Sequence, residues 1–462
     1  MLASEVLQEL VGVLGRENVL TEQEDLLTYA YDATAAMKHH KPDVVVSPLS
    51  TEQVAEIVKI AVRYKVPIYP RGSGTNLSGG TIPTEGGIVL SMLNLNNILE
   101  LDQDNLTATV QPGVIIQALN DEAGKHGLIY PPDPGTVTTA TMGGSVSECS
   151  GGLRGLKYGV TKHYIMGLTI VLANGDIIRW GGKTVKNVSG YDLVALFTGA
   201  EGTLGIITEI IVKLIPAPEA RKSILAVFDD LDKAGNAIAA IIRNKIIPAT
   251  LEIMDKDTIQ TVENFVHAGL PLEAEAVLLC EVDGYKEVVE REAVLVEKIL
   301  KEEGATQVKI ARDDKERDLL WLARRSALPA LAQKRPTTVL EDATVPRSKI
   351  PDMLKAIRKI ALKYNLQIAT FGHAGDGNLH PTILTDERDL EEMKRVHLAV
   401  DEIFQVAISL GGTLSGEHGI GIAKMKFLDM EFGEAGVAAL RRIKEALDPN
   451  YVLNPGKIVR RD

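Results

Sequence analysis

At 462 residues the chain is too long for one hydrophobic core, and its size corresponds to about three domain-sized units. A composition of 45% hydrophobic and 24% charged residues is that of a globular protein, and aromatics at 4% are too scarce for base-stacking platforms. Lys+Arg at 50 against Asp+Glu at 62 leaves a net charge of -12, an acidic surface that repels phosphate backbones and argues against nucleic acid as a partner.

The first segment carries Glu5 and Glu9 within its apolar periodicity and no basic leader, which predicts an amphipathic helix and not a signal peptide; residues 1–40 form an N-terminal helical segment. No stretch approaches the ~18 apolar residues that span a bilayer. Cys149 and Cys280 are the only cysteines and make no CxxC, which suits a reducing cytoplasm. Electrons leaving through iron–sulfur centres would therefore need another subunit.

Val44–Val46 reads as a short strand. Ser50 and Gln53 then form a capping-box pattern before a helix with Val54, Ile57, Val58, Ala61 and Val62 at helical spacing. A second strand, Val66–Tyr69, leads into the glycine-rich run Arg71-Gly-Ser-Gly-Thr-Asn-Leu-Ser-Gly-Gly80, and a strand at Ile88–Met92 follows. A Rossmann turn needs G-x-G-x-x-G between a strand and its helix; here the spacing differs and no helix follows, so that reading fails. Beyond it come a helix over Val114–His126, turns at Pro131–Gly135 and Asn174-Gly175, and an apolar strand over Gly205–Ile215 closed by Pro216 and Pro218. From Ser223 strands alternate with helices: Ile224–Phe228, Leu231–Arg243, Leu251–Ile253, Asp257–Val266, Val277–Val282 and Lys286–Glu303. This pattern predicts a split β-α-β cap on an antiparallel sheet.

Successive amides in a loop of small residues make a nest for phosphate oxygens, and glycine permits the positive φ this requires. Three such loops abut strands: 71–80, Pro132–Thr136 leading into Thr141–Ser145, and Glu201–Ile207. A long cofactor threading between sheets and a set of plain surface connections are both open on this pattern alone.

These loops, with the tail Leu453-Asn-Pro-Gly-Lys457, resemble the FAD-binding domain of the vanillyl-alcohol-oxidase (PCMH-type) superfamily. The whole chain is similar to its glycolate oxidase D subunit and D-lactate dehydrogenase branch. The resemblance implies an α+β architecture: a two-lobed FAD-binding domain over 41–219, a ferredoxin-like α+β cap domain over 220–425 and a C-terminal segment, 426–462, returning to the flavin. It implies FAD contacts from Arg71, Gly72, Ser73, Gly74, Thr75, Asn76, Ser78 and Gly79 in the first loop. Pro132, Asp133, Thr136, Gly143, Gly144 and Ser147 supply the second set. Glu201, Gly202, Gly205, Ile206, Ile207 and Asn454 complete it. With no histidine in 71–80, no covalent flavin link is expected through that loop.

Two polar motifs hold the histidines of interest. His373-Ala-Gly-Asp-Gly-Asn-Leu-His380 lies between two apolar runs, and its Asp376-Gly377 turn lets both rings converge on one point. Ser415-Gly-Glu-His-Gly419 follows the Gly411-Gly412 end of a long helix starting near Glu391. Two imidazoles and one carboxylate leave positions open for substrate oxygens, as a catalytic metal site requires. On the histidine pair alone a metal site and two packed rings remain equally open; His39, His40, His126 and His397 read as ordinary surface or packed rings. Matched position by position, the resemblance makes His373, His380 and Glu417 ligands of a divalent metal (Zn, Fe or Mn) and His418 the catalytic base. It makes Arg324, in Trp321-Leu-Ala-Arg324, the partner of the substrate carboxylate, although Arg324 and Arg325 on a solvated helix face is the commoner fate of such residues. Val339–Asp342 lacks the lysine that holds the distal carboxylate in D-2-hydroxyglutarate dehydrogenases.

The expected activity is metal-assisted oxidation of a small D-2-hydroxy acid, D-lactate or glycolate, with hydride passing to the flavin N5. The expected electron acceptor is a protein, an electron-transferring flavoprotein or an iron–sulfur subunit, with a quinone and a cytochrome also left open by the sequence. The substrate is a 2-hydroxy monocarboxylate, and homo-oligomerisation is left open. The location is cytoplasmic, with membrane association only through a partner. Competing readings are an electron-relay flavin subunit without catalysis, a dehydrogenase for a larger hydroxy acid such as D-2-hydroxyglutarate, and a hydrolase using the metal alone. Lys183 and Lys186 are equally open to a phosphate or substrate role and to a surface role.

Overall fold

A computed structural model describes residues 2–461. The chain divides into two compact units. One comprises the residues up to Ser150, Val160–Ala217 and the segment from Glu417 onward; the other comprises Gly151–Gly159 and Pro218–Gly416.

The first unit contains two principal sheets. In one, β2 (Val44–Val46), β4 (Ile88–Ser91) and β3 (Ile68–Arg71) are parallel, and β1 (Val19–Leu20) pairs antiparallel with β2, Val19 opposite Val46. The N-terminal segment thus supplies a sheet strand as well as the helix Ser4–Leu14. Val44–Val46 is buried throughout, as a strand covered on both faces should be. The following helix, Thr51–Tyr64, starts where the Ser50 hydroxyl accepts from the Gln53 amide at 3.2 Å, and the Gln53 side chain reaches back to the Leu49 amide at 2.7 Å. Its Val54, Ile57, Val58 and Ala61 join one apolar core with Val6, Leu10, Ile68, Ile206 and Leu453.

The second sheet is antiparallel, in the order β5 (Ile98–Asp102), β6 (Thr107–Val110), β10 (Ile206–Lys213), β8 (Ile165–Val171) and β9 (Ile177–Gly181). A minor pair joins β7 (Leu128–Ile129) to β11 (Ile215–Pro216). The C-terminal tail lies beside β3: Leu453 bridges Ile68, and the Ile68 amide donates to the Val452 carbonyl at 2.8 Å. The tail is held by Asp448, which accepts from the Leu453 amide at 2.8 Å and pairs with buried Lys444 at 2.5 Å.

The second unit is built on an antiparallel sheet. Its order is β15 (Gln307–Ile310), β12 (Ala220–Phe228), β14 (Ala276–Gly284), β13 (Thr250–Asp255), β18 (Gln367–His373), β19 (Asn378–Thr385) and β16 (Thr337–Leu340), with β17 (Ala343–Thr344) also on β19. Helices Lys256–Val266, Asp314–Arg325 and Ala327–Lys334 contact one another and close a core with Leu225, Val227, Met254, Val277, Leu279, Ala369 and Phe371. The alternate residues Ile224, Ala226 and Phe228 are also fully buried, so both faces of the sheet are covered. Relative to the sequence boundaries at 219/220 and 425/426, the division falls at 217/218 and 416/417, and the nine residues 151–159 go to the second unit.

Candidate active site

In the second unit, strand register explains why two histidines seven residues apart meet. His373 on β18 pairs with Asn378 on β19, and Phe371 pairs with His380. Residues directly opposite share a face, and so do residues two apart on one strand. Phe371, His373 and His380 therefore point the same way. The reversal rests on Gly377, whose φ is +94, and on the His373 carbonyl, which accepts from the Asp376 and Gly377 amides at 3.2 Å. The imidazole rings stand edge to face, 5.1 Å between centroids, and both residues are buried. Their ligand-capable atoms lie within 4.8 Å of one another, as do those of His380 and fully buried Asp342.

Register also brings in a residue that the sequence reading passed over. Ile253 on β13 pairs with Gly372, so one step further Glu252 falls opposite His373. Both Glu252 carboxylate oxygens lie within hydrogen-bond reach of His373 Nδ1, at 2.9 and 3.0 Å. Arg324, the expected carboxylate-binding residue, projects from the end of the helix Asp314–Arg325 and is 5% exposed, which removes it from the solvated face. Its Nε donates to Glu252 Oε2 at 2.8 Å and its Nη2 lies 2.6 Å from the same oxygen. The guanidinium lies 4.8 Å above the Phe371 ring. Burial pushes the Glu252 carboxyl up, but the charges and hydrogen bonds of His373 and Arg324 outweigh it and hold it below the usual range. A carboxylate in a strand otherwise made of Leu251, Ile253 and Met254 was the available signal, because a buried charge needs partners.

Asp342 is the other residue the sequence reading did not select. It accepts from the Ser415 hydroxyl and the Gly416 amide, both at 2.8 Å, and so anchors the end of this unit's chain. A side chain at Gly416 would strike Thr344 Oγ1 at 2.3 Å and the Asn378 amide at 2.6 Å. Glu417 and His418 follow directly in the chain, as the first residues of the other unit's return segment; Glu417 is half-buried and His418 buried.

Within the first unit, Glu201 fixes that segment. Its carboxylate accepts from the Ile420 and Gly421 amides at 2.7 and 2.8 Å. Gly419 has a φ of +76, and an added Cβ would lie 2.1 Å from Glu148 Oε2 and 3.0 Å from Glu201 Oε1, so two carboxyls occupy the space beside it. Burial pushes both carboxyls up; for Glu148 the neighbouring Glu201 charge adds to the shift.

The glycine loops are packed against one another as well as strung between strands. An added Cβ at Gly72 would meet Thr141 Oγ1 at 2.2 Å, at Gly143 it would meet Pro112 at 2.5 Å, and at Gly202 it would meet Pro70 at 2.5 Å. Asn76 Oδ1 organises the first loop by accepting from the Ser78 and Gly80 amides at 2.9 and 2.6 Å. The Asn454 amide donates to the Gly80 and Glu201 carbonyls at 2.9 and 2.7 Å, joining the first and third loops. Its Oδ1 is buried with no protein hydrogen-bond partner among the described residues, an acceptor suited to a bound cofactor. The Gly144 amide donates to Thr141 Oγ1 at 3.2 Å, and the Ser147 carbonyl accepts from the Glu201 amide at 2.8 Å. Pro132 and Asp133 are buried, whereas Ser73 and Thr136 are exposed, and Gly74 takes a φ of +73. The Arg71 guanidinium packs against its own loop, where a Cβ added at Gly74 would lie 2.3 Å from Nη2, and its Nη1 donates to the Tyr31 carbonyl at 2.7 Å and to Thr81 Oγ1 at 3.2 Å. Ile206 and Ile207 are ladder residues, and Gly205 lets the ladder pack on Ile170 and Phe197. Lys183 is held by Glu100 and Asp102 at 2.6 and 2.7 Å, a surface role; Lys186 is exposed.

A two-sheet unit with packed glycine loops, joined to a unit carrying paired buried imidazoles, defines a flavoprotein of the FAD-linked oxidase type. Residues 42–181 match the family described as "FAD binding domain", and residues 217–458 match "FAD linked oxidases, C-terminal domain". The chain belongs to this FAD-linked oxidase family. It is similar to the glycolate oxidase subunit GlcD of Bacillus subtilis (strain 168), at 52% identity over 462 residues, covering 100% of this chain and 98% of that one. It is also similar to the D-lactate dehydrogenase of Anaerostipes hadrus, at 36% identity over 454 residues, covering 96% and 94%. Among solved structures, p-cresol methylhydroxylase with substrate bound superposes with a TM-score of 0.84 over 99% of this chain and 96% of the other; at 20% identity this likeness concerns the fold.

Proposed function

We propose that the protein oxidises a small 2-hydroxy acid, D-lactate or glycolate, to the 2-oxo acid, using FAD and a divalent cation held by His373, His380 and Glu417. The observation that carries this reading is the buried pair His373 and His380, whose ligand-capable atoms lie within 4.8 Å. Oxygen- and nitrogen-donor sets of this kind suit Zn, Fe or Mn. The family match supports FAD, and the names of the relatives support a 2-hydroxy acid. When bound, the flavin takes up the electrons of the oxidation and the cation polarises the substrate's oxygens.

The chain's own residues then have separable tasks. His418 accepts the hydroxyl proton at an imidazole nitrogen. Glu201, through the Ile420 and Gly421 amides, fixes the path of the segment that carries His418. Arg324 commits its Nε–Nη2 edge to Glu252, which leaves its other edge for the substrate carboxylate. Val339–Asp342 offers no cation for a second carboxylate, which favours a monocarboxylate. FAD is held without a covalent link, and electrons pass on to a protein acceptor, an electron-transferring flavoprotein or an iron–sulfur subunit.

Anaerobic mixing with glycolate, D-lactate, L-lactate and D-2-hydroxyglutarate tests the reading through the colour of the flavin. Bleaching by glycolate or D-lactate is expected. A yellow protein that none of them bleaches would favour an electron relay or a different substrate, and a colourless one would remove the flavin chemistry altogether. His418→Ala should keep FAD and lose bleaching by substrate; an unchanged reduction rate contradicts the base assignment.

A further inference from the structure

We infer that Glu252 is a positioning residue acting on both halves of the site, fixing which His373 nitrogen faces the cation and how Arg324 is aimed. The inference rests on the metal reading above and deepens it. Glu252 is 1% exposed, on the central strand β13, and it hydrogen-bonds the two groups that the proposed chemistry needs oriented. A carboxylate is acceptor-only, so the contacts at 2.9 and 3.0 Å require the proton on His373 Nδ1. That tautomer carries its lone pair on Nε2, the nitrogen that would ligate the cation. The same carboxylate takes the Nε donor of Arg324, and Phe371 backs the assembly, with the guanidinium 4.8 Å above its ring and the His380 ring 5.5 Å away. One side chain thereby couples cation affinity to recognition of the substrate carboxylate.

Glu252→Gln separates this from a packing role because it preserves volume. It leaves one neutral acceptor oxygen, and puts an NH2 donor, where the carboxylate has two charged acceptors. If the amide NH2 faces His373, it favours a lone pair on Nδ1 and places the proton on Nε2, where it blocks ligation. The expected result for the FAD-loaded variant is a 10- to 100-fold weaker affinity for Mn(II), measured by chelator competition. A raised KM for glycolate or D-lactate should persist at saturating Mn(II), while kcat recovers there. Flavin content and melting temperature report folding independently. Wild-type affinity for Mn(II) in the variant overturns the inference alone. A parent protein that binds no divalent cation overturns the metal reading and the inference with it. Should Glu252→Gln not fold, Glu252→Asp, which keeps the charge one methylene short, must still weaken Mn(II) binding; parental affinity there overturns the inference.

Discussion

Lys457 is 1% exposed, with Nζ donating to the Ile82 carbonyl at 2.8 Å and lying 4.9 Å above the Tyr69 ring. Burial pulls its ammonium down from 10.5 to about 8, against the opposing pull of Asp32, Glu201 and Glu85. The sign follows from proton counts. Below about 8 both folded and unfolded chains hold the proton, and the cost of burying charge is fully present. Between about 8 and 10.5 the unfolded chain holds a proton that the folded chain has released, so this group's contribution to stability rises with pH. Lys457→Met removes the dependence. Measured by urea unfolding, the stability of Lys457→Met relative to the parent should fall as pH rises through that window. A constant difference would mean that Lys457 titrates normally in the fold. At this scale the sequence was only partly legible. The Asp376-Gly377 turn shows in sequence that His373 and His380 can converge, but the partnership of Glu252 with His373 depends on a strand more than one hundred residues away, and only register reveals it.

Among the elements, the β18–β19 hairpin carries the site, and its geometry is concentrated at Gly377. With φ at +94, a Cβ there would lie 2.0 Å from the Val345 carbonyl oxygen. That oxygen is backbone and cannot swing aside, and Gly377's own carbonyl accepts from the Val345 amide at 3.0 Å. Gly377→Ala should cost on the order of 2–3 kcal/mol from strain and displacement together. It should also lower bound metal on elemental analysis, because both imidazoles are aimed by this turn. A stable variant with parental metal content would separate turn from site. The Asp376-Gly377 turn was legible because two apolar runs flank a dipeptide with known backbone preferences. Helix ends were less so: Val114–His126 was expected and Ile116–Gly124 is observed, since the terminal residues lack intrahelical partners. Arg324 shows the opposite failure. Its surroundings in sequence are charged, as on a solvated helix face, yet it is buried because it sits at the helix end against Glu252.

For the whole molecule, what matters is that neither unit is a continuous stretch of chain. The sequence pattern put a boundary at 219/220, just beyond Pro216 and Pro218, which close a long apolar strand. It gave no sign that residues 151–159 belong with the later unit, since Lys157 and Tyr158 reach Asp283 only through tertiary structure, at 2.5 and 2.7 Å. The return at Glu417 has a consequence for truncation. The segment from there onward supplies the first unit with the Leu453 partner of Ile68, with Asn454 across the Gly80 and Glu201 carbonyls, and with the buried Lys444–Asp448 pair. It also supplies the amides that satisfy Glu201, which would otherwise be a buried carboxyl short of donors. A chain ending at Gly416 should therefore lose the flavin-binding unit while the antiparallel sheet of the other, whose Asp342 anchor to Ser415 and Gly416 is intact, stays folded. The expected readout is a colourless protein whose limited proteolysis leaves a resistant fragment spanning roughly 218–416. If the truncated chain instead stays yellow and digests uniformly, the C-terminal segment is not what completes the FAD-binding unit.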